Sequence, residues 1–258
     1  MGLRKKLSAG LYRLIRGTVK LVYPRMEAVG AEKLPDEACI FVGNHAQMNG
    51  PIACELWFPV PRCTWCAGEM MHLKEVPAYA YRDFWSGKPK SVRWFFRLAS
   101  WLIAPLSVCV FTNAECIGVY HDMRIMETFR KTVQKLEEGV SVVVFPEHAA
   151  AHNEVVCEFQ DRFVDVARMY WRKTGREAAF VPFYVAPALR TLSFGEPLRF
   201  DPSVPAAEER KRVAAAMMDA VTGLARALPE HTVVPYLNVP KKQYPKNKES
   251  AAHEASGG

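Results

Sequence analysis

The sequence predicts an α/β fold: a mixed, largely parallel central sheet flanked by helices, in a single domain with an N-terminal amphipathic helix. Three observations predict it. Short apolar runs rich in β-branched residues recur along the chain, as in buried strands. Segments with apolar residues at helical spacing alternate with these runs. Polar residues follow several of the runs, so we expect a functional site along one edge of the sheet.

Composition and charge limit the class of protein. The 258 residues are half hydrophobic and 24% charged, which is typical of a globular protein with a sizeable core. Seven of the 34 cations lie in residues 1–25 with no acid among them, which leaves 27 cations against 27 acids. A nucleic-acid-binding fold would carry its basic face on the body, so we expect no nucleic-acid partner. Seven cysteines without a signal peptide predict reduced, buried thiols in the cytoplasm.

A basic amphipathic helix is predicted for residues 1–30. Arginine and lysine fill most of one face, and the other face carries Leu3, Leu7, Leu11, Leu14, Thr18 and Val22. The segment lacks the uninterrupted apolar run of a membrane-spanning helix. We expect it to lie in a membrane interface, which would make the protein peripheral at the cytoplasmic face of the cell membrane. The alternative is that this helix packs on its own domain.

The first half of the body begins with a predicted strand, 38–42, that delivers Asn44 and His45 to its end. A helix follows over 51–58, with a proline at its first position. Residues 62–67 alternate as a strand does, which leaves metal binding by their Cys-x-x-Cys as the less favoured alternative. Residues 98–111 carry no charge and are too few to span a bilayer, so they are either core or an interfacial, lipid-facing element.

The second half continues the alternation. A helix is predicted from Asp122 as its N-cap to Gly139 beyond its end, and a buried strand follows over 141–145. The remaining predictions are a helix carrying Phe159, Phe163, Val166 and Tyr170, a strand over 180–185, a terminal helix over 208–228 and a disordered tail over 241–258.

Residues suited to chemistry follow the buried strands. They are Asn44-His45 with Asn49, Phe145-Pro146-Glu147, and Val181-Pro182. Histidine has an ordinary pKa near ~6.5, which suits it to moving protons at neutral pH. In order and spacing, over about residues 35–200, these clusters resemble the four-block pattern of the glycerolipid acyltransferases, which include the 1-acylglycerol-3-phosphate (lysophosphatidate) acyltransferases. They match the Asn-His, Phe-Pro-Glu and Val-Pro elements of that pattern, and Gly195-Glu196-Pro197 resembles the stretch that follows it.

Three positions depart from the pattern. The aspartate of the first block is Gly50 here, with Asn49 one residue earlier, and the glycine of the third block is His148. The second block, whose arginine binds the acceptor phosphate in the family, falls near His121, and the nearest arginine is Arg124.

The resemblance implies an acyltransferase domain over residues 31–240. It would transfer a fatty acyl group from acyl-CoA or acyl carrier protein to the hydroxyl of a lysophospholipid, 1-acylglycerol-3-phosphate being favoured, in phospholipid biosynthesis. His45 would be the general base. Asn49 either orients its ring or is a turn residue, and Glu55 is another candidate to replace the missing aspartate. The substrate-binding residues implied are Asn44, His121, Arg124, Phe145, Pro146, Glu147, His148 and Pro182.

No cofactor is expected beyond the acyl thioester co-substrate. No metal is expected either, although His148 and His152 are spaced like metal ligands on a possible helix. Because the aspartate is missing, a catalytically altered lipid-binding relative on the same fold is the alternative function.

Overall fold

The structure, a computed structural model, describes residues 2–248. Within these residues the strands are β1 (Glu27–Val29), β2 (Ile40–Gly43), β3 (Arg62–Ala67), β4 (Cys116–Val119), β5 (Ser141–Val144), β6 (Glu147–Ala151), β7 (Cys157–Phe159), β8 (Ala179–Ala186), β9 (Thr191–Phe194) and β10 (Leu198–Arg199). The α-helices are α1 (Gly2–Val22), α2 (Asn49–Trp57), α3 (Val76–Ala80), α4 (Arg93–Asn113), α5 (Ile125–Glu137), α6 (Asp165–Thr174) and α7 (Ala206–Ala227).

The chain forms two compact units. The helical unit contains the chain up to Tyr23 together with Cys63–Thr132, and the sheet unit contains Pro24–Arg62 and the chain from Val133 onward. The sheet unit holds His45 and most of the predicted site, whereas the helical unit holds α1, α4 and the Arg124 region.

The sheet unit has the strand order β1-β9-β8-β2-β5. Strand β2 lies between β5 and β8 and is parallel to both, with Ile40 opposite Val142 and Phe180. Strands β9 and β10 run antiparallel to β8 on its other edge. All residues of β2, β5 and β8 are buried, as expected for strands covered on both faces, and α7 and α2 pack against β8. The predicted α/β class, with a mixed and largely parallel sheet flanked by helices, is confirmed.

Two predicted segments differ in the structure. The helix expected around Phe159 begins only at Asp165, because Phe159 pairs with Glu147 in the two-stranded sheet of β6 and β7. The predicted disordered tail is ordered over residues 241–248: Lys246 pairs with Thr232, and Asn247 is buried. Residues 249–258 of that prediction lie outside the described part of the chain.

In the helical unit β3 and β4 pair in parallel, with Thr64 opposite Cys116. Cys63 and Cys66 lie three residues apart on β3, so their side chains point to opposite faces of the strand. Helix α1 ends at Val22, within the predicted residues 1–30, and packs on α4. There the Asn113 side chain donates to Ser8 Oγ at 2.9 Å.

Both α1 and α4 present large apolar side chains to solvent. We call these two stripes the exposed apolar face of the helical unit: Leu7, Leu11 and Leu14 on α1, and Trp94, Phe95, Leu98, Trp101, Leu102 and Leu106 on α4. The segment predicted as core or interfacial element therefore has both environments: one face is exposed, and Ala104 on the other belongs to a buried cluster with Met70, Val76 and Ala80. It also belongs to a longer helix, since Lys90–Asn113 is long and apolar enough to cross a membrane by length and composition, with a mean hydropathy of 1.6. Residues 2–248 contain one such helix.

Candidate active site

The centre of the candidate site is His45, which follows the carboxyl end of β2. Between them, Asn44 is 1% exposed, and its amide pairs with the backbone of Val185 in β8. Its Nδ2 donates to the Val185 carbonyl at 3.2 Å and its Oδ1 accepts from the Val185 N–H at 2.7 Å. Asn44 therefore extends the β2–β8 pairing and fixes the point from which His45 emerges. These bonds give Asn44 a structural role, and its predicted substrate contact stays a prediction.

The loop after His45 has an unusual backbone. Ala46 and Gln47 adopt the left-handed conformation, with φ of 45° and 54°, which is unfavourable for residues that carry a side chain. The backbone N–H and the side-chain amide of Asn49 each donate to the Ala46 carbonyl at 3.0 Å. These bonds favour the turn-residue interpretation of Asn49, which stands at the start of α2.

Gly50 has no room for a side chain. A Cβ atom there would lie 2.5 Å from the His45 carbonyl oxygen, 2.9 Å from the Phe145 ring and 3.1 Å from the Asn44 carbonyl oxygen. The Gly50 N–H also donates to the His45 carbonyl at 3.0 Å, which holds the two residues together. The position at which the family has its aspartate is therefore closed to an acid in this loop.

Glu147 fastens the His45 loop to the hairpin of β6 and β7. Its side chain is 5% exposed, and its carboxylate accepts the His45 N–H at 2.5 Å and the Cys157 N–H at 3.0 Å. Burial raises the pKa of this carboxyl to about 7, and the two N–H bonds act in the opposite direction. Its oxygens serve the backbone, which differs from the head-group contact that the resemblance implies.

The His45 ring is half-buried between two aromatic rings. Its centroid is 5.1 Å from that of Phe145 and 5.9 Å from that of Tyr236, both in edge-to-face geometry. Burial lowers the pKa of His45, and contacts with the backbone of Gln47 and of His45 itself partly offset this effect. Within residues 2–248, no carboxylate hydrogen-bonds to this ring or shifts its pKa. Glu55, the other proposed partner, forms an ion pair with Arg62 instead.

The two prolines predicted as substrate contacts, Pro146 and Pro182, make structural contacts in the sheet unit. Pro146 is buried, and its carbonyl accepts from the Gln160 N–H at 2.9 Å. Pro182 lies in the middle of β8, opposite Val42, rather than at the strand end that the motif predicted. It falls between the parts of β8 that pair with β9 and β10, where proline's missing N–H leaves no ladder bond unmade. Pro182 is thus a buried residue of the sheet, and its predicted substrate contact stays a prediction.

His148 lies in β6, and its Nε2 is 3.5 Å from a carboxylate oxygen of Glu158 in β7. His152 follows the strand, so the two histidines lack the helical geometry on which the metal alternative depended. In the described chain, residues 2–248, no three His, Cys, Asp or Glu side chains come together as a metal site would require.

The predicted second-block residues belong to the helical unit. His121 is exposed in the turn after β4. The Arg124 guanidinium is bound by Asp122 at 3.0 Å and by Glu75 at 3.1 Å, and it lies 4.1 Å from the centroid of the Tyr120 ring. Hydrogen bonding to Asp122, followed by Glu75, raises the pKa of Arg124. Two carboxylates thus already neutralise the positive charge with which Arg124 would bind a phosphate ligand.

Sequence analysis missed three residues of the site. Gln47 Nε2 donates to the Leu237 carbonyl at 3.3 Å and to the Tyr244 hydroxyl at 3.1 Å, and Tyr236 contacts the His45 ring. All three contacts join segments about 190 residues apart, and tyrosines in a polar C-terminal segment carry no periodic signal. Gln47 lies between His45 and α2 and matches no motif. From sequence it could be recognised only as a residue other than glycine in a tight turn.

No family model matches the chain, and no curated protein matches it significantly. Among solved structures, the chain is similar to the crystal structure of the 1-acyl-sn-glycerophosphate (LPA) acyltransferase PlsC from Thermotoga maritima. The two are 19% identical in sequence, and the TM-score is 0.44 over 87% of this chain and 84% of that chain.

Proposed function

We propose that this protein is an O-acyltransferase that moves a fatty acyl group from a thioester to the hydroxyl of a lysophospholipid, with His45 as the general base. The observation that carries the proposal is the state of His45. It stands at the carboxyl end of a central parallel strand, where ligands bind in open α/β sheets, and burial lowers its pKa. The imidazole is therefore unprotonated at neutral pH and able to accept a proton.

The reaction needs no covalent enzyme intermediate. His45 takes the proton from the acceptor hydroxyl while the hydroxyl oxygen attacks the thioester carbonyl. The carbon–sulfur bond then breaks, and the imidazolium returns the proton to the departing thiolate. A general base of this kind supplies about 10²–10⁴ in rate. Acyl-CoA or acyl carrier protein is the donor, 1-acylglycerol-3-phosphate is the favoured acceptor, and phospholipid synthesis is the pathway that the reaction would serve.

The exposed apolar face of the helical unit supports a location at a membrane surface. Tryptophans such as Trp94 and Trp101 are characteristic of the membrane–water interface, and the cations of residues 1–25 favour an anionic lipid surface. We place the protein at the cytoplasmic face of the cell membrane as a peripheral enzyme. A lysophospholipid acceptor and its product would then be reached without leaving the bilayer.

The test is acceptor-dependent thiol release from palmitoyl-CoA and from palmitoyl-acyl carrier protein, with lysophosphatidate and a panel of other lysolipids. We expect His45→Ala to lower the wild-type rate at least about 10²-fold. His152→Ala, which removes an exposed histidine of the same unit, is the matched control and should retain the rate. The kcat/KM profile should have an acid limb below pH ~6.5, because the His45 pKa is lowered.

The second candidate is a lipid-binding protein without catalysis. It is favoured because, within residues 2–248, no carboxylate hydrogen-bonds to the His45 ring. If folded wild-type protein binds lysolipid vesicles but releases no thiol from any donor–acceptor pair, the enzyme proposal is overturned in favour of this alternative. Equal rates for wild type and His45→Ala would instead show an activity that does not use this histidine.

A further inference from the structure

We propose that the C-terminal loop over residues 232–246 takes the part of the missing orienting acid, with Tyr236 as a positioning residue for the His45 ring. This inference rests on the proposed function for its kinetic part. It concerns a segment of the chain that lies outside the motif resemblance.

The loop is closed at its base. Asn247 is buried, and its side chain accepts from the His231 N–H at 2.8 Å and donates to the Ala225 carbonyl of α7 at 2.7 Å. Val233 N–H donates to the Pro245 carbonyl at 2.9 Å, just inside this closure. His231 is buried as well, with its Nε2 3.0 Å from the Tyr184 hydroxyl of β8. The base of the loop is thus fixed to the helix and the sheet that frame the site.

The far end of the loop is fastened to the His45 turn by one side chain. Gln47 Nε2 reaches both the Leu237 carbonyl and the Tyr244 hydroxyl. Gln47 is one of the two residues of the His45 turn that are held in the left-handed conformation, which a side chain disfavours. A glutamine here is explained by its contacts with the loop, since glycine would suit the backbone better.

Between these fixed points the loop presents Tyr236 to the His45 ring. Both Tyr236 and Phe145 meet the imidazole edge-to-face, with ring centroids 5.9 Å and 5.1 Å away. No carboxylate in the described residues bonds to the ring, so its orientation depends on the backbone contacts at Gln47 and His45 and on packing against the two aromatic side chains. Gly50 cannot supply an acid, because its Cβ position is occupied by the His45 carbonyl. The same contacts keep water from the ring and so maintain the burial around it.

The test compares Tyr236→Ala, Tyr236→Phe and Gln47→Gly with wild type. Tyr236→Ala should lower kcat about 10-fold to 10²-fold, as expected for a misplaced catalytic group, with KM for both substrates changed less than about threefold. Tyr236→Phe keeps the ring and should restore kcat to within about twofold of wild type. Gln47→Gly relieves the backbone and releases the loop, so it should lower kcat like Tyr236→Ala without lowering thermal stability. Asn238→Ala, at an exposed position of the same loop, is the matched control.

An NMR titration of the His45 ring, assigned with His45→Gln, gives a readout that does not need activity. In Tyr236→Ala the pKa of His45 should rise toward ~6.5 as the ring gains access to water. An unchanged His45 titration in both Tyr236→Ala and Gln47→Gly, or a kcat that falls equally in Tyr236→Phe, would overturn the inference. If wild type shows no His45-dependent activity, the proposed function fails, and the titration still decides whether the loop positions the ring.

Discussion

Gly50 shows how a single residue limits which side chains can lie beside His45. An aspartate here would bring its Cβ to 2.5 Å from a backbone carbonyl and 2.9 Å from the Phe145 ring. Backbone atoms in a tight turn cannot move away at low cost. An aspartate at this position should therefore distort the His45 turn before its carboxylate could reach the imidazole.

We predict that Gly50→Asp lowers the free energy of unfolding by about 1–3 kcal/mol, as overpacking does, and abolishes any His45-dependent activity. Urea denaturation and the thiol-release assay measure the two effects. Gly87→Ala is the control, because its Cβ meets open space and its φ is ordinary. An aspartate variant with full stability and increased turnover would show that the loop rearranges to accept an acid.

Glu147 gives a second prediction, on the pH dependence of stability. Its pKa is about 7 in the folded protein against an ordinary value of 4.5, so the folded state binds the proton more tightly. The stability this provides is complete below pH 4.5 and is lost as the pH rises through 7. The difference between the folded pKa and the ordinary pKa corresponds to about 3 kcal/mol of unfolding free energy.

We therefore expect the stability of wild type relative to Glu147→Gln to fall by about 3 kcal/mol between pH 4.5 and pH 8. Urea unfolding across this range measures the difference, in which other titrating groups cancel. A difference between wild type and Glu147→Gln that does not change with pH would contradict the burial of an ionisable carboxyl at this position.

At the scale of single residues, the sequence predicts which positions belong to the candidate site better than it predicts the contacts that each side chain makes. His45 and Glu147 are recognisable because they follow buried runs and match a known order of motifs. Their partners are not, because the bonds of Asn44 to Val185 and of Gln47 to Tyr244 join residues more than 140 positions apart. A motif also does not show that the Glu147 carboxylate accepts two backbone N–H groups.

Among the elements, α4 stands out because it is apolar in composition and yet exposes one face to solvent. Trp101 and Leu102 are 61% and 71% exposed on a helix that carries no charge from Leu98 to Phe111. Burial of such side chains in a lipid interface gains about 1.5–3 kcal/mol each when complete. A helix face of this kind is more stable against acyl chains than against water.

We predict that Trp101→Asp with Leu102→Asp reduces binding to anionic vesicles at least about 10-fold, because each substitution replaces a lipid-compatible side chain by a charge. Vesicle flotation measures the binding, and unchanged thermal unfolding shows that the fold is intact. Met123→Asp, at a 93% exposed position outside the two stripes, is the control. Binding that survives the double variant would assign the face to another partner.

The elements themselves were predictable where their pattern was local. The buried apolar runs predicted β2, β5 and β8. Gly139 and Gly175 follow the ends of α5 and α6 and have φ of 78° and 71°. The hairpin of β6 and β7 was not predictable, because its pairing depends on a buried glutamate opposite Phe159. Whether residues 98–111 were core or surface also needed the structure, since both environments use the same apolar composition.

For the whole molecule, charge and fold class followed from the sequence more securely than the site did. The excess of positive charge lies in residues 1–25, and the remainder is balanced, which is a property of composition. The α/β class followed from the alternation of buried runs with helical segments. The site depends instead on which distant segments meet, and here these come from three parts of the chain: the turn at His45, the hairpin at Glu147 and the loop at Tyr236.

The distance between these segments has a consequence for synthesis. Gln47 and Tyr244 are 197 residues apart, so at about 5–20 residues per second the ribosome adds the second about 10–40 s after the first. During that interval a nascent chain displays His45 without the loop that flanks it. Under the proposed function, competence for chemistry is then among the last properties that the growing polypeptide acquires. A chain arrested after α7 would carry His45 without the loop proposed to position it.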